Sequence, residues 1–221
     1  MNEIIITKDS SPTVYSKKFN ATYHSVNGAL QESMHVFIEN GLVHYLCTHS
    51  HQQKIRILEV GLGTGLNCIL TYREQQRNFS DKIIHYVAIE KHPLETPVLS
   101  ALSELYPFSE NKSIFQKIHS DECMFNLNEC FILQKHYEDI LSAVDKIDSK
   151  IDIVYYDAFA PSAQSEMWSR EIFEKIYLRM KPDGIFVTYC AQGNFKRTLK
   201  SIGFKVETLP GAAGKREMTR A

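Results

Sequence analysis

The chain has 221 residues, 43% hydrophobic and 23% charged, the length of one large α/β domain, which excludes a disulfide-stapled mini-protein. Its 25 basic and 26 acidic side chains leave a formal charge of −1, so total charge argues neither for disorder nor for a nucleic-acid partner. Cys47, Cys68, Cys123, Cys130 and Cys190 show no CxxC or Cys/His ligand spacing and fit reduced thiols, so no metal is expected.

The first residues, MNEIIITKDSSPTVYSKKF, hold only a three-Ile apolar run, too short for a secretion signal, and no apolar run reaches membrane-span length. The expected compartment is the cytoplasm, without a membrane partner. Short β-prone pieces at 3–7 and 13–15 lead into residues 27–39, where Ala29, Leu30, Ser33, Met34, Phe37 and Ile38 recur at helical spacing. Gly41 is expected to stop that helix. Residues 1–51 therefore read as an extension packing on a core of residues 52–221.

Beyond residue 52, strands and helices alternate. Strands are expected at 55–60, 83–90, 131–136, 151–157, 185–190 and 205–209, with helices from about 65 and 94, and at 138–144, 169–180 and 194–202. Such alternation means parallel strands with crossover helices, a doubly wound sheet, and the runs ILEV, VAIE and IDIVYY suit burial on both faces. Residues 107–130 carry the weakest pattern and are expected to form a helix-rich insertion. Lys181-Pro182-Asp183-Gly184 is expected to be the turn between a helix and the next strand.

The sharpest local signal is Glu59-Val60-Gly61-Leu62-Gly63-Thr64-Gly65-Leu66-Asn67, a strand running into a glycine turn that opens a helix. Glycines let backbone approach a ligand closely, and the helix N-terminus is electropositive. A dinucleotide fingerprint wants its third glycine where Leu66 stands, whereas the spacing matches the E/DxGxGxG turn of class I methyltransferases. Glu59 would then lie near the amino group of S-adenosylmethionine; the bland alternative is a βα turn without a ligand. Glu90, ending the next strand before Lys91, is placed to accept ribose hydroxyls. Asp139 reads equally as an adenine contact or as a helix N-cap. Asp157, at the tip of the fourth core strand, should converge with Glu59 on the crevice at the carboxyl ends of the strands.

The string Asp157-Ala158-Phe159-Ala160-Pro161 followed by Glu166-Met167-Trp168 resembles the DGFAP…P(D/E)MW signature of the methyltransferase domain of the bifunctional tRNA wobble-uridine enzymes of the MnmC family, and of their stand-alone MnmD relatives. Tyr23-His24-Ser25, the Asn27 to Ser33 block, Gly61 to Asn67, Glu90-Lys91 and Gly214 to Met218 match in the same order. Ala158 stands where Gly is frequent and Ser165 where Pro is usual, which bears on loop geometry.

The resemblance implies a Rossmann-like class I fold with a mostly parallel seven-stranded sheet. It implies methylation of the primary amine of 5-aminomethyl-2-thiouridine in tRNA, with S-adenosylmethionine held by Glu59, Gly61, Gly63, Gly65, Asn67, Glu90, Lys91, Asp139 and Asp157. It further implies a stand-alone form, with a separate flavin-dependent oxidase acting earlier. Asp157 would orient the amine and stabilise the charge growing on nitrogen. Phe159, the other catalytic candidate, and Trp168 would stack on the uracil ring near Pro161, with a core role for Trp168 equally open. Tyr23 and Gln31 would line the same pocket.

Residues 191–221 hold Lys196, Arg197, Lys200, Lys205, Lys215, Arg216 and Arg220 against Glu207 and Glu217, a local excess of five cations. Lys196, Arg197, Lys215 and Arg216 are the candidates for tRNA phosphates, the bland alternative being a solvated basic face. A methyltransferase for small-molecule amines, an aminopropyltransferase-like enzyme and a nucleotide-binding module without catalysis remain the competing readings.

Overall fold

The computed structural model describes residues 2–106, 112–148 and 150–221. Among them an eight-stranded sheet has the order β10-β11-β9-β8-β4-β5-β7-β6. Its central strands β4 (Lys54–Val60), β5 (Ile83–Ile89), β7 (Phe131–His136), β8 (Ile151–Tyr156) and β9 (Met180–Thr188) run parallel. β6 (Met124–Asn128), β10 (Glu207–Pro210) and β11 (Glu217–Arg220) are antiparallel to their neighbours. A separate antiparallel sheet joins β1 (Glu3–Ile6), β2 (Pro12–Ser16) and β3 (Ala21–Thr22).

Helices cover both faces, as a buried parallel sheet requires. One face carries α1 (residues 29–48), α2 (Leu66–Asn78), α3 (Thr96–Leu105) and α4 (Lys112–Ile118), and its core includes Phe37, Leu42, Ile57, Cys68, Phe131 and Tyr155. The other carries α5 (Ile140–Asp145), α6 (Arg170–Arg179) and α7 (Gly193–Ile202) over Leu58, Val60, Val154, Tyr156, Phe173 and Phe186. The helix of the N-terminal extension therefore shares a core with the sheet.

Four expectations need correction. Gly41 does not end the helix: α1 continues to Thr48, and Met34–Val43 is wound in wider π-type turns. Gly41 instead permits close packing, since a Cβ there would lie 3.1 Å from Tyr155 Cε1 and 3.2 Å from Val187 Cγ2. Gly41→Leu is expected to destabilise the protein by about 1–3 kcal/mol through overpacking. Thermal unfolding will read this, and an unchanged midpoint would contradict the tight contact.

The sheet has eight strands because β6 pairs with β7. Its alternating burial, with Phe125 and Leu127 inward, is a period-two signal within the presumed helical insertion, and the Asn128 carboxamide oxygen accepts the Cys130 N–H at 2.7 Å in the turn. The rest of that insertion contributes α4, while residues 107–111 lie outside the described ones. Lys181-Pro182-Asp183-Gly184 falls within β9 as an irregularity, where the pairing of Ile151 with Met180 jumps to Ile153 with Ile185. β11, unanticipated, lies between β9 and β10 and buries Met218 and Thr219. Among the described residues no helix is long and apolar enough to cross a membrane.

Candidate active site

A cleft opens where β4, β5 and β8 end, bounded by Val60, Gly61, Gly63, Ile89, Glu90 and Lys91 on one side and by Asp157, Ala158, Phe159, Gln164 and Met167 on the other. The β4–α2 turn makes its floor. Gly61 has φ +91°, its N–H donates to Ile89 O at 2.9 Å, and a Cβ would lie 2.7 Å from the Asp157 carbonyl oxygen. Gly63 has φ +50° and presses on the Tyr23 ring, 2.8 Å from where its Cβ would be. Gly65, the N-cap of α2, has φ +74° and lies under His119. Positive φ at three alternate positions explains the glycines without a sequence family.

Glu90 faces this turn. Its carboxylate accepts the Gly63 N–H at 3.0 Å and the His92 N–H at 2.7 Å, one on each oxygen, which leaves lone pairs for a vicinal diol. Lys91 lines the cleft and donates to Asp139 at 2.9 Å. Asp139 caps α5, accepting the Leu141 N–H at 3.0 Å; its neighbours Glu138 and Ile140, rather than Asp139 itself, line the cleft.

Asn67, in the first turn of α2, donates from Nδ2 to Glu59 at 3.0 Å and to Asp157 at 2.8 Å. Glu59 is fully buried behind the cleft wall, and burial pushes its carboxyl well above the usual range. Glu59 Oε2 and Asn67 Oδ1 have no hydrogen-bond partner. Glu59 thus reaches the cleft through Asn67, not as a wall residue. Burial likewise pushes Asp157 up to about 7, with the Glu32 charge adding to the shift while the Asn67 hydrogen bond and Lys215 oppose it.

Aromatic rings close the mouth. Phe159 stacks on Phe19 with centroids 4.6 Å apart and receives the edge of Tyr23 at 4.9 Å. Phe19, at the tip between β2 and β3, is a site residue missed in the sequence; the signal was an aromatic side chain inside the polar turn Lys17-Lys18-Phe19-Asn20. Trp168 does not line the cleft. Its indole N–H donates to Phe159 O at 2.8 Å, and its ring meets Tyr156 and Phe195 edge-on, so it anchors the loop that carries Phe159. Pro161 starts the turn in which Ala163 and Gln164 N–H groups donate to Ala160 O.

The structure separates other expected partners. Gln31 is exposed in a shallow groove with Met34, His35 and Ala212, apart from Tyr23, because α1 turns that side chain away from the cleft. Lys215 pairs with the buried Glu32, and Lys196 with Glu217 at 3.0 Å, so both ammonium groups already have carboxylate partners. Arg197 and Arg216 are exposed, Arg197 bonding Asn194. Glu32, the other missed residue, lay unread within the block Ala29 to Ser33.

A diol acceptor at Glu90, apolar walls from Val60, Ile89 and Ile140, and acidic groups near Asp157 fit the ribose, adenine and amino portions of S-adenosylmethionine. Glu90→Ala, which orphans two backbone N–H groups, is expected to weaken binding of that cofactor about 10- to 100-fold by calorimetry. Undiminished affinity would assign the ribose elsewhere. Among the described residues no group of three or more His, Cys, Asp or Glu side chains is placed to hold a metal ion.

Comparison with known proteins agrees with this geometry. The chain is 32% identical over 223 residues to the tRNA 5-methylaminomethyl-2-thiouridine biosynthesis bifunctional protein MnmC of Leptospira interrogans, covering 97% of this chain and 34% of that protein. A Marinomonas protein of the same name is 28% identical over 222 residues, covering 96% and 32%. The chain thus spans about a third of the length of these curated relatives. The crystal structure of MNMC2 from Aquifex aeolicus superposes with a TM-score of 0.84 at 25% identity, covering all of this chain and 70% of that one, so the fold is that of class I methyltransferases. Residues 107–221, which supply Asp157, Phe159 and the strands that hold them, match the model described as S-adenosyl-L-methionine-dependent methyltransferase, and the chain belongs to that family.

Proposed function

We propose that the protein transfers a methyl group from S-adenosylmethionine to the primary amine of 5-aminomethyl-2-thiouridine at the wobble position of tRNA. The observation that carries this reading is Asp157, a half-buried residue on the cleft wall whose carboxyl is fixed by Asn67, in a cleft whose mouth is closed by Phe159, Phe19 and Tyr23. The product in the relatives' name supports it: a methylaminomethyl group is an aminomethyl group bearing one further methyl.

When bound, S-adenosylmethionine supplies a methyl group already activated on a sulfonium. The chain's residues must therefore align the amine and deal with its proton. An alkyl amine with a lysine-like pKa of about 10.4 is mostly protonated at neutral pH, and freeing it costs on the order of 4 kcal/mol. A carboxylate of ordinary pKa is a poor acceptor for that proton; Asp157, pushed up to about 7, is a better one at the working pH. It also faces the positive charge that grows on nitrogen. The aromatic mouth suits a base presented out of its stack.

This reading places the enzyme with tRNA in the cytoplasm, downstream of a flavin-dependent oxidase that exposes the amine. Exposed Arg197 and Arg216 would meet phosphate, with Lys196 and Lys215 held to their carboxylates. Nucleoside mass spectrometry of tRNA from a deletion strain tests it. Accumulated 5-aminomethyl-2-thiouridine that the pure protein methylates is the expected result; unaltered wobble uridines would overturn it, and conversion of small amines alone would favour the small-molecule alternative.

A further inference from the structure

We infer that Tyr106 and His119, from the segment between β5 and β6, are positioning residues for S-adenosylmethionine: both grip Thr64 from behind and so hold the glycine turn in the shape that cradles the cofactor. Whatever amine accepts the methyl group, this grip concerns only the cofactor side of the cleft.

The turn has two sides. Gly61 and Gly63 line the cleft, whereas Thr64 is 1% exposed and points its hydroxyl into the protein. It stands between two residues of positive φ, Gly63 at +50° and Gly65 at +74°. No repeating ladder holds such a backbone: α2 starts its own with the Ile69 N–H on Gly65 O, one residue beyond Thr64. The buried polar groups of Thr64 must find partners elsewhere.

Two side chains supply them. The Tyr106 hydroxyl donates to Thr64 Oγ1 at 2.9 Å, and His119 Nε2 donates to the Thr64 carbonyl oxygen at 3.0 Å. A carbonyl can only accept, so Nε2 carries the proton. Burial pushes the His119 ring down to about 4, which keeps it neutral at working pH and in that one tautomer. His119 also presses on the turn itself, since a Cβ on Gly65 would fall 2.9 Å from Nε2. The buried His24 of the extension stands third, 3.4 Å from the Thr64 hydroxyl.

Packing places the two donors. Tyr106 directly follows α3 and His119 directly follows α4, and the Phe115 ring of α4 meets both, with centroids 5.6 and 4.6 Å away. On the cleft side, Glu90 holds the same turn through the Gly63 N–H at 3.0 Å. Tyr106 and His119 do from the back what Glu90 does from the front. Neither lines the cleft, so their influence on the cofactor passes through Thr64. Losing either one leaves a buried polar group of Thr64 unpaired and releases the turn from its binding shape.

The test is calorimetry of S-adenosylmethionine binding to the full chain, well below the melting temperature, with variants first shown to be folded by thermal unfolding. Tyr106→Phe and Thr64→Val remove one hydrogen bond from its two ends, so each should weaken binding about 5- to 10-fold and the double variant no further. His119→Leu should weaken it about 10-fold, while His119→Gln, whose carboxamide can donate to the same carbonyl, should stay within about threefold of wild type. Amide hydrogen exchange at Gly63 and Gly65 should quicken in the weakened variants, which locates the change in the turn. Nitrogen-15 spectra of the wild type should show His119 protonated on Nε2. Wild-type affinity in the folded Tyr106→Phe and His119→Leu variants would overturn the inference. So would an additive loss in the double variant, a loss with unaltered exchange at the two glycines, or a His119 ring protonated on Nδ1. If His119→Leu does not fold, Tyr106→Phe, which removes a single oxygen atom, decides.

Discussion

Asp157→Asn is expected to lower methyl transfer by about 10²- to 10⁴-fold while leaving S-adenosylmethionine affinity within a few-fold. Asn is nearly isosteric, and its carboxamide oxygen can still accept from Asn67 Nδ2, which holds Asp157 at 2.8 Å in the wild type. What it removes is the proton acceptor and the negative charge that the proposed mechanism sets against the amine. The wild-type rate should fall as pH drops through about 7, the position to which burial pushes the Asp157 carboxyl, and the variant should lack that limb. A full rate with an unchanged pH profile would remove Asp157 from the chemistry.

The same carboxyl makes a stability prediction with a definite sign. Its folded-state pKa of about 7 lies above the ordinary aspartate value of 3.8, so the folded state holds this proton more tightly than the unfolded chain does. The associated stability is fully present below about 3.8 and is lost as pH rises through about 7. Above that point the wild type bears the cost of an ionised buried carboxylate, a few kcal/mol at most. Asp157→Asn should therefore melt at higher temperature than wild type at pH about 8, with the gap closing toward pH about 4. Calorimetric scans at both pH values will show this; a variant less stable at the higher pH would contradict the assigned burial.

Gly61→Ala is expected to cost about 2–4 kcal/mol of stability and to abolish measurable cofactor binding. Two penalties combine at this residue. Its φ of +91° is strained for any L side chain, and the new methyl would sit 2.7 Å from the Asp157 carbonyl oxygen, itself part of the backbone. Nothing flexible is available to give way, so either β4 or the tip of β8 must move, and both wall the cleft. Chemical denaturation with parallel calorimetry of S-adenosylmethionine binding will test it, and wild-type affinity in a folded variant would show that the turn tolerates a side chain.

Legibility followed the range of each interaction. Parallel strands such as β4, β5 and β8 were readable because burial on both faces demands an uninterrupted apolar run. The glycine turn and the tip residues Glu90 and Asp157 were readable because they are punctuated locally. Asp139 carried two local readings, and the observed cap at 3.0 Å to Leu141 N–H was one of them. Gly41 misled because glycine after a helical pattern ordinarily marks a terminus. Its actual reason, the approach of Tyr155 and Val187, lies more than a hundred residues away in the chain. Trp168 behaved similarly: its identity announced an aromatic role, while only its neighbours Tyr156, Phe195 and the Phe159 carbonyl show that the ring anchors a loop.

Charge was the least local property. The basic stretch of residues 191–221 offered Lys196, Arg197, Lys215 and Arg216 to phosphate, yet carboxylate partners hold Lys196 and Lys215, at Glu217 and Glu32. The sequence by itself determined the doubly wound sheet, the glycine cradle and the acidic strand tips, since periodicity and backbone restriction act over a few residues. Only the tertiary structure decided that Phe19 closes the mouth, that Gln31 faces away from it, and that Glu32 meets Lys215. The last pairing joins residues 183 positions apart, and no local pattern encodes it, because it exists only once the C-terminal loop has packed against the extension.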